Sequence, residues 1–270
     1  MTLSLPQHLK ALRVDDLNLI DHLGGLPADR ILSGSDLKNI YALLHPVNTG
    51  HKLIRIGESG DGGYLVPNCL DDIDMCVSPG TAEQFQFELD LSRIFNIPSI
   101  MCDPSVDRPA GLQRKQSFDR IAIGCGEDEG VCRLKDWVSK YMPLKENSLI
   151  LSMDIEGGEW NVFLNEDVSF LRVFKIMTLE LHYLSLLHDR EFVDSIFMPV
   201  IKKLTSIFDI LHVHPNGGTN YLCGKDVYLS DCLEMTLLSK DSRRMKPSPA
   251  IVPHPLDHSF KNSIGRHMFL

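Results

Sequence analysis

Leu149-Ile150-Leu151-Ser152-Met153 is an apolar run that stops at Asp154, and Ile155-Glu156-Gly157-Gly158-Glu159 continues as an acidic turn. Two other stretches carry chemistry-bearing side chains at i, i+2 spacing: Glu180 with His182, and His212 with His214. On a strand, such pairs point to one face. Carboxylates and imidazoles gathered at one place can hold a divalent cation, or they can take a proton from a weakly acidic hydroxyl. In the first case Asp154, His182 and His214 are the ligands, with Glu180 or Glu156 behind them; such mixed donors admit magnesium or manganese as well as iron or zinc. In the second, His182 or His214 is the base, with an ordinary pKa of about 6.5, and Asp154 orients it. The residue types leave both open. His188, His254, His258 and His267 fit no such pattern and are expected to be structural or surface residues.

To bring these residues together the chain must form a sheet whose strands end at one edge. Leu149–Met153 suits a strand buried on both faces, as in a parallel sheet, and ligands of such sheets bind beyond the carboxyl ends of the strands. Short apolar runs predict strands at 53–56, 63–66, 73–77, 99–102, 119–123, 148–153, 174–181, 207–213 and 226–238, with helices at 83–95, 131–141, 158–164 and 189–204. Strands interleaved with helices imply an α/β fold with a mostly parallel, doubly wound sheet. The last strand follows a Gly/Asn turn without a helix, so it should run antiparallel to 207–213.

Before this unit, residues 1–48 read as an N-terminal helical extension of two short helices broken at Gly24-Gly25 and Pro27, with Ser35 the expected N-cap of the second. It would serve as a lid or as a dimerisation arm. The main domain spans 49–242. Residues 243–270, with Pro247, Pro249, Pro253 and Pro255, read as an extended C-terminal strap.

The 270 residues, 43% of them hydrophobic, can bury a sizeable core. A net charge of −9 argues against non-specific nucleic-acid binding, which needs a basic stripe, and favours a small or neutral substrate. The seven cysteines are odd in number and form no CxxC pair, which suits reduced, buried thiols and a reducing compartment. With no basic start leading into an apolar segment and no membrane-length apolar stretch, the expected location is cytoplasmic, and an oligomer stays open.

Asp74–Val77 leads into Ser78-Pro79-Gly80-Thr81-Ala82-Glu83, a strand, a small-residue loop and a helix start. Such a loop allows close approach of a ligand to the backbone and offers free N–H groups. There is no GxGxxG and no GKS/T, so dinucleotide and P-loop binding are weakly supported. Asp103 ends the next strand, where an acid can accept both ribose hydroxyls, or simply form a turn before Pro104.

Arg55-Ile56-Gly57, Asp61-Gly62-Gly63-Tyr64, Ser78-Pro79-Gly80, Cys102-Asp103-Pro104-Ser105, Met153–Trp160, Leu179-Glu180-Leu181-His182 and His212–Asn216 occur in that order. Together, over roughly residues 50–240, they resemble the FkbM-like family of S-adenosylmethionine-dependent methyltransferases and related proteins with an RxG…DGGY motif. The resemblance implies a Rossmann-like class I methyltransferase fold with seven strands, the last antiparallel. It implies that the Ser78–Glu83 loop (Ser78, Pro79, Gly80, Glu83) faces the methionine part of the cofactor. Asp103 would hold the ribose beside Pro104 and Ser105, and Ala122 and Ile123 would lie near the adenine. Tyr64 and Asp154 would complete the cofactor site, and Asp61, Glu156, Glu180 and Asn216 would face the acceptor. The first loop reads Ser-Pro-Gly-Thr where many methyltransferases are richer in glycine. The expected activity is methyl transfer to a hydroxyl of a sugar or glycosylated metabolite. A metal-dependent hydrolase using the Asp/His cluster, and a catalytically silent binding domain, are the alternatives.

Overall fold

The computed structural model describes residues 26–60, 62–126, 130–216, 220–222 and 228–257. The first expected helix of the N-terminal extension and Asp61 therefore lie outside the described residues. Strands in chain order are β1 (Val47–Asn48), β2 (Leu53–Gly57), β3 (Gly63–Pro67), β4 (Met75–Pro79), β5 (Ser99–Cys102), β6 (Gln116–Asp119), β7 (Ala122–Gly124) and β8 (Val131–Arg133). They continue as β9 (Leu149–Met153), β10 (Phe174–Leu181), β11 (Phe208–Pro215), β12 (Asn220–Leu222), β13 (Tyr228–Ser230), β14 (Leu233–Ser239) and β15 (Ser248–Pro249). The helices that matter below are α1 (Gly34–Ala42), α2 (Gln86–Phe95), α3 (Leu134–Ser139), α4 (Glu159–Asn165) and α5 (Met198–Ile207).

Seven strands form one mixed sheet in the order β11-β14-β10-β9-β4-β5-β6. Strands β6, β5, β4, β9 and β10 are parallel, whereas β14 runs antiparallel to both β10 and β11. The expected pairing of the last strand with 207–213 is present, but β14 also pairs with β10 and so lies between the two. Burial explains the parallel part: every residue of β4, β5, β9 and β10 is buried, which only a sheet covered on both faces requires.

The two faces are covered differently. Val77, Leu151, Met153, Met177, Leu179, Met235 and Leu237 pack with Trp137 of α3, Trp160 and Phe163 of α4, and Leu204 of α5. Cys76, Ile150, Ile176 and Leu238 point the other way, against Leu53, Ile56 and Leu65 of the β2–β3 hairpin and Phe87 and Leu91 of α2. The stretches 53–56 and 63–66 thus form a separate antiparallel hairpin lying over the sheet. Thr236 fastens it by donating from Oγ1 to the Leu65 carbonyl at 2.7 Å, both groups buried.

Several element boundaries differ from the sequence reading for local reasons. Ser33, not Ser35, caps α1: its hydroxyl accepts from the Asp36 N–H and the Asp36 carboxylate accepts from the Ser33 N–H, a reciprocal capping box. The expected strand at 119–123 is two strands, β6 in the main sheet and β7 paired in parallel with β8. The expected 189–204 helix contains a π segment over 193–197 just before Pro199, whose missing N–H cannot make the regular helical bond. Lys203 of α5 donates from Nζ to the carbonyls of Phe163, Leu164 and Glu166 at 2.7, 2.9 and 3.0 Å, satisfying the open end of α4.

After β14 the chain crosses back over the sheet edge. Arg243 pairs with Asp209, β15 pairs with β1, and Asp257 bonds His212. No helix among the described residues is long and apolar enough to cross a membrane.

Candidate functional site at the carboxyl edge of the sheet

The hairpin-facing side of the sheet changes character along the strands. Cys76, Ile150 and Ile176 lie at the amino ends; two and four residues on come Ser78, then Ser152 and Asp154, then Thr178 and Glu180. A cavity of about 350 Å³ opens where the row turns polar. It is lined by Tyr64 of β3, Ser78, Pro79, Gly80, Thr81 and Glu83 of the first loop, Phe87 and Glu88 of α2, and Ser152, Asp154, Glu156 and Glu180.

The backbone that shapes this cavity is held close to its limits. Gly80 has φ +86°, and a Cβ there would stand 1.4 Å from the Asp154 carbonyl oxygen, so only glycine lets the loop approach this strand end. Five non-glycine residues have positive φ among the described residues: Ala82, Asn96, Asn147, Glu156 and Tyr183. Asparagine tolerates that region, and the other three all flank the acidic edge, where strain of this kind commonly marks function.

Asp154 keeps a third of its side chain exposed (33%), and its Oδ1 is buried without a hydrogen-bond partner. Nε2 of His182 lies 3.6 Å from Asp154 Oδ1 and 3.6 Å from Glu156 Oε2, and Nδ1 lies 3.3 Å from Glu159 Oε1. Glu159 is in turn fixed by the Ile155 N–H at 2.8 Å. The indole of Trp160 donates to the His182 carbonyl at 2.8 Å, so α4 sets both the backbone and the ring of this histidine. Glu180 is buried and held on both oxygens: Oε1 accepts from the Tyr64 hydroxyl at 2.8 Å and Oε2 from Asn216 Nδ2 at 2.7 Å.

Burial and the neighbouring Glu180 carboxylate push Asp154 upward, and His182 only partly opposes them. Burial alone would lower His182, yet Cys232 and the Glu159 carboxylate more than offset it and raise it. Burial raises Glu88 to about 7 even though Ser78 donates a hydrogen bond to it. Tyr64 is driven well above its ordinary value by burial and by Glu180, so its hydroxyl keeps its proton.

The expected site residues divide into groups. Tyr64, Ser78, Pro79, Gly80, Glu83, Asp154, Glu156 and Glu180 line one cavity, His182 stands directly behind Asp154, and Asn216 is bonded to Glu180. Asp103, Pro104, Ser105, Ala122 and Ile123 do not line it. Asp103 spends both carboxylate oxygens on its surroundings: Oδ2 accepts from the Ala82 N–H at 2.9 Å, and Oδ1 from the Ser105 N–H and hydroxyl at 2.7 and 2.5 Å. Ile123 is buried in the core behind the sheet.

His214 does not join Asp154 and His182 as the expected third ligand. The inserted strand puts Glu234 between them, in the register Glu180–Glu234–His214, so His214 is two strand spacings, ~9–10 Å, from the Glu180 position. Its Nδ1 lies 4.0 Å from Glu234 Oε2, and its ring stacks on that of His212, which bonds Asp257. Among the described residues, the donor sets close enough to share one cation are Asp154, Glu156 and His182, and Glu180, His182 and Cys232.

Glu88 and Cys232 were missed in the sequence. Glu88 had a signal: it sits at i−3 and i−7 from Leu91 and Phe95, an acid on the apolar stripe of its helix. Cys232, in the turn before β14, had none. Comparison with protein-family models, with curated proteins and with solved structures finds no match to this chain.

Proposed function

We propose that this chain is an S-adenosylmethionine-dependent O-methyltransferase acting on a hydroxyl of a sugar or glycosylated metabolite. The observation that carries this reading is the cavity beyond β4, β9 and β10, walled by the Gly80 loop and by the carboxylates of Glu88, Asp154 and Glu180. An acid-walled cavity at this edge of a parallel sheet suits a positively charged ligand held by backbone at a strand end. The antiparallel β14, inserted between β10 and β11 in a sheet whose other six strands all run one way, accords with the class I methyltransferase fold that the sequence resemblance implies. The substrate class rests on that resemblance.

The residues fit the methionine end of the cofactor: Gly80 leaves room no other residue would, and Ser78 and Glu88 form a polar wall. When bound, S-adenosylmethionine supplies an electrophilic methyl group on a cationic sulfur. The protein must then align an acceptor hydroxyl and take its proton. His182 is ringed by Asp154, Glu156 and Glu159, which favour its charged form, and in this reading Asp154 is the base and His182 orients it. Asp103 accepts two bonds on Oδ1 and one on Oδ2, so Oδ2 keeps a lone pair for a ribose hydroxyl.

A divalent cation suits the same edge, because Asp154 Oδ1 lacks a hydrogen bond and Glu156 and His182 stand within reach. Asp154, Glu156 and His182 would hold magnesium or manganese there and acidify the acceptor. The same donor set supports the second reading, a metal-dependent hydrolase, which binds metal but has no affinity for S-adenosylmethionine.

Calorimetry of S-adenosylmethionine binding, with magnesium, with manganese and with a chelator, separates these readings. Transfer of labelled methyl to a panel of sugars is the companion assay. Binding by the wild type together with label in a sugar supports the methyltransferase; folded protein that binds no S-adenosylmethionine under any condition sinks it.

A further inference from the structure

The turn before β14 brings a thiol into the site. Cys232 Sγ lies 3.6 Å from Glu180 Oε2, and one donor atom each of Glu180, His182 and Cys232 falls within 4.8 Å of the others. We propose that these three residues form a binding site for a thiophilic divalent cation, Zn2+ foremost, distinct from the oxygen-rich set of Asp154 and Glu156 but sharing its imidazole.

The geometry suits zinc. With Zn–S of about 2.3 Å and Zn–O of about 2.0 Å, two corners of a tetrahedron stand about 3.5 Å apart, close to the sulfur–oxygen separation found here. Carboxylate, imidazole and thiolate are donors zinc accepts, and three protein ligands leave a fourth position for water. Magnesium and manganese prefer oxygen donors, which the Asp154–Glu156 side supplies.

Each ligand is already held by outer contacts. His182 turns Nδ1 to Glu159, which leaves Nε2 to ligate; an imidazole held by a carboxylate is the usual arrangement behind a metal. Glu180 is oriented by Tyr64 and Asn216. The Cys232 turn is pinned on both sides: its carbonyl accepts from the Asn216 N–H at 3.1 Å, and the preceding Asp231 accepts from the Ser185 N–H at 2.8 Å. On binding, the S–H bond of Cys232 gives way to an S–Zn bond and any Nε2–H bond of His182 to an N–Zn bond, and the released protons leave to buffer.

Sharing has a consequence that rests on the methyltransferase reading. One imidazole nitrogen cannot serve both sides, so zinc on the Cys232 side withdraws His182 from Asp154 and inhibits, whereas magnesium or manganese on the other side does not.

Co2+ tests the site without any assay of methyl transfer. Titrated into the full chain under reducing conditions, Co2+ should raise a thiolate-to-metal charge-transfer band in the near ultraviolet, which Zn2+ then bleaches. Cys232→Ser, a near-isosteric change, should abolish the band, and Glu159→Gln should weaken Co2+ binding roughly 10- to 100-fold with the band retained. No band in the wild type, or a band of undiminished strength in folded Cys232→Ser, overturns the proposal. If methyl transfer is measurable, zinc should inhibit the wild type and spare Cys232→Ser; equal inhibition of both overturns the shared-imidazole consequence. A folded protein that binds no S-adenosylmethionine yet still shows the Cys232-dependent band would refute the methyltransferase reading and leave the metal site standing.

Discussion

The Tyr64 hydroxyl donates to Glu180 Oε1 at 2.8 Å, joining residues 116 positions apart in sequence. This one contact ties the hairpin that roofs the sheet to β10, the strand that His182 follows. Glu180 is buried, so removing the donor leaves a buried carboxylate oxygen without its partner. Tyr64→Phe keeps the ring and its edge contact with Phe87 and should cost roughly 1–3 kcal/mol in urea denaturation. A loss below a few tenths would show that Glu180 does not depend on it.

Gly80 is the tightest point of the cavity wall. In Gly80→Ala the new methyl meets the Asp154 carbonyl at a positive φ, so either the loop or β9 must shift. Destabilisation of more than about 2 kcal/mol is expected, from strain and overpacking together. Chemical denaturation checks it, and a neutral result would mean the loop has room to move.

Glu88 gives a pH dependence of definite sign. Its folded pKa of about 7 lies above its ordinary 4.5, so the folded state binds the proton more tightly. Stability from this group is full below pH 4.5 and falls as pH rises through 7, by roughly 3 kcal/mol in total. Glu88→Gln keeps an acceptor for Ser78 and should flatten that fall. Denaturation curves for both proteins across this range decide it; parallel pH profiles would refute the shift.

Asp154→Asn tests the chemistry. In the proposed methyl transfer it should reduce kcat by roughly 100- to 10,000-fold while the protein stays folded, the usual worth of a positioned base. Circular dichroism and label transfer measured on one preparation check both halves. Unchanged turnover would remove Asp154 from the reaction.

Lys203 should matter although it lies behind the sheet. Lys203→Met preserves the stem but strips three carbonyls at the end of α4 of their shared donor. A loss of roughly 1–3 kcal/mol is expected, read as a lower Tm.

What the sequence discloses here is mostly local. The buried run 149–153 and the abrupt Asp154 fix a strand and its polar end, because hydrophobic pattern and strand register act within a few residues. The i, i+2 spacing of Glu180 and His182 is legible for the same reason. The position of His214 is not, since it depends on β14 entering between β10 and β11, a choice of neighbours that no stretch of sequence near His214 encodes. The role of Asp103 likewise turns on contacts with Ala82, 21 residues away. Cys232 reaches His182 only after β13, its turn and β14 are in place.

Val47 and Asn48 pair with Pro249 and Ser248, and the Ala250 N–H donates to the Pro46 carbonyl at 3.0 Å. The seven-stranded unit therefore leaves and returns through one gate. The first and last described strands hold each other, so cutting the tail back past Ser248 would strip β1 of its partner and leave its backbone groups to water.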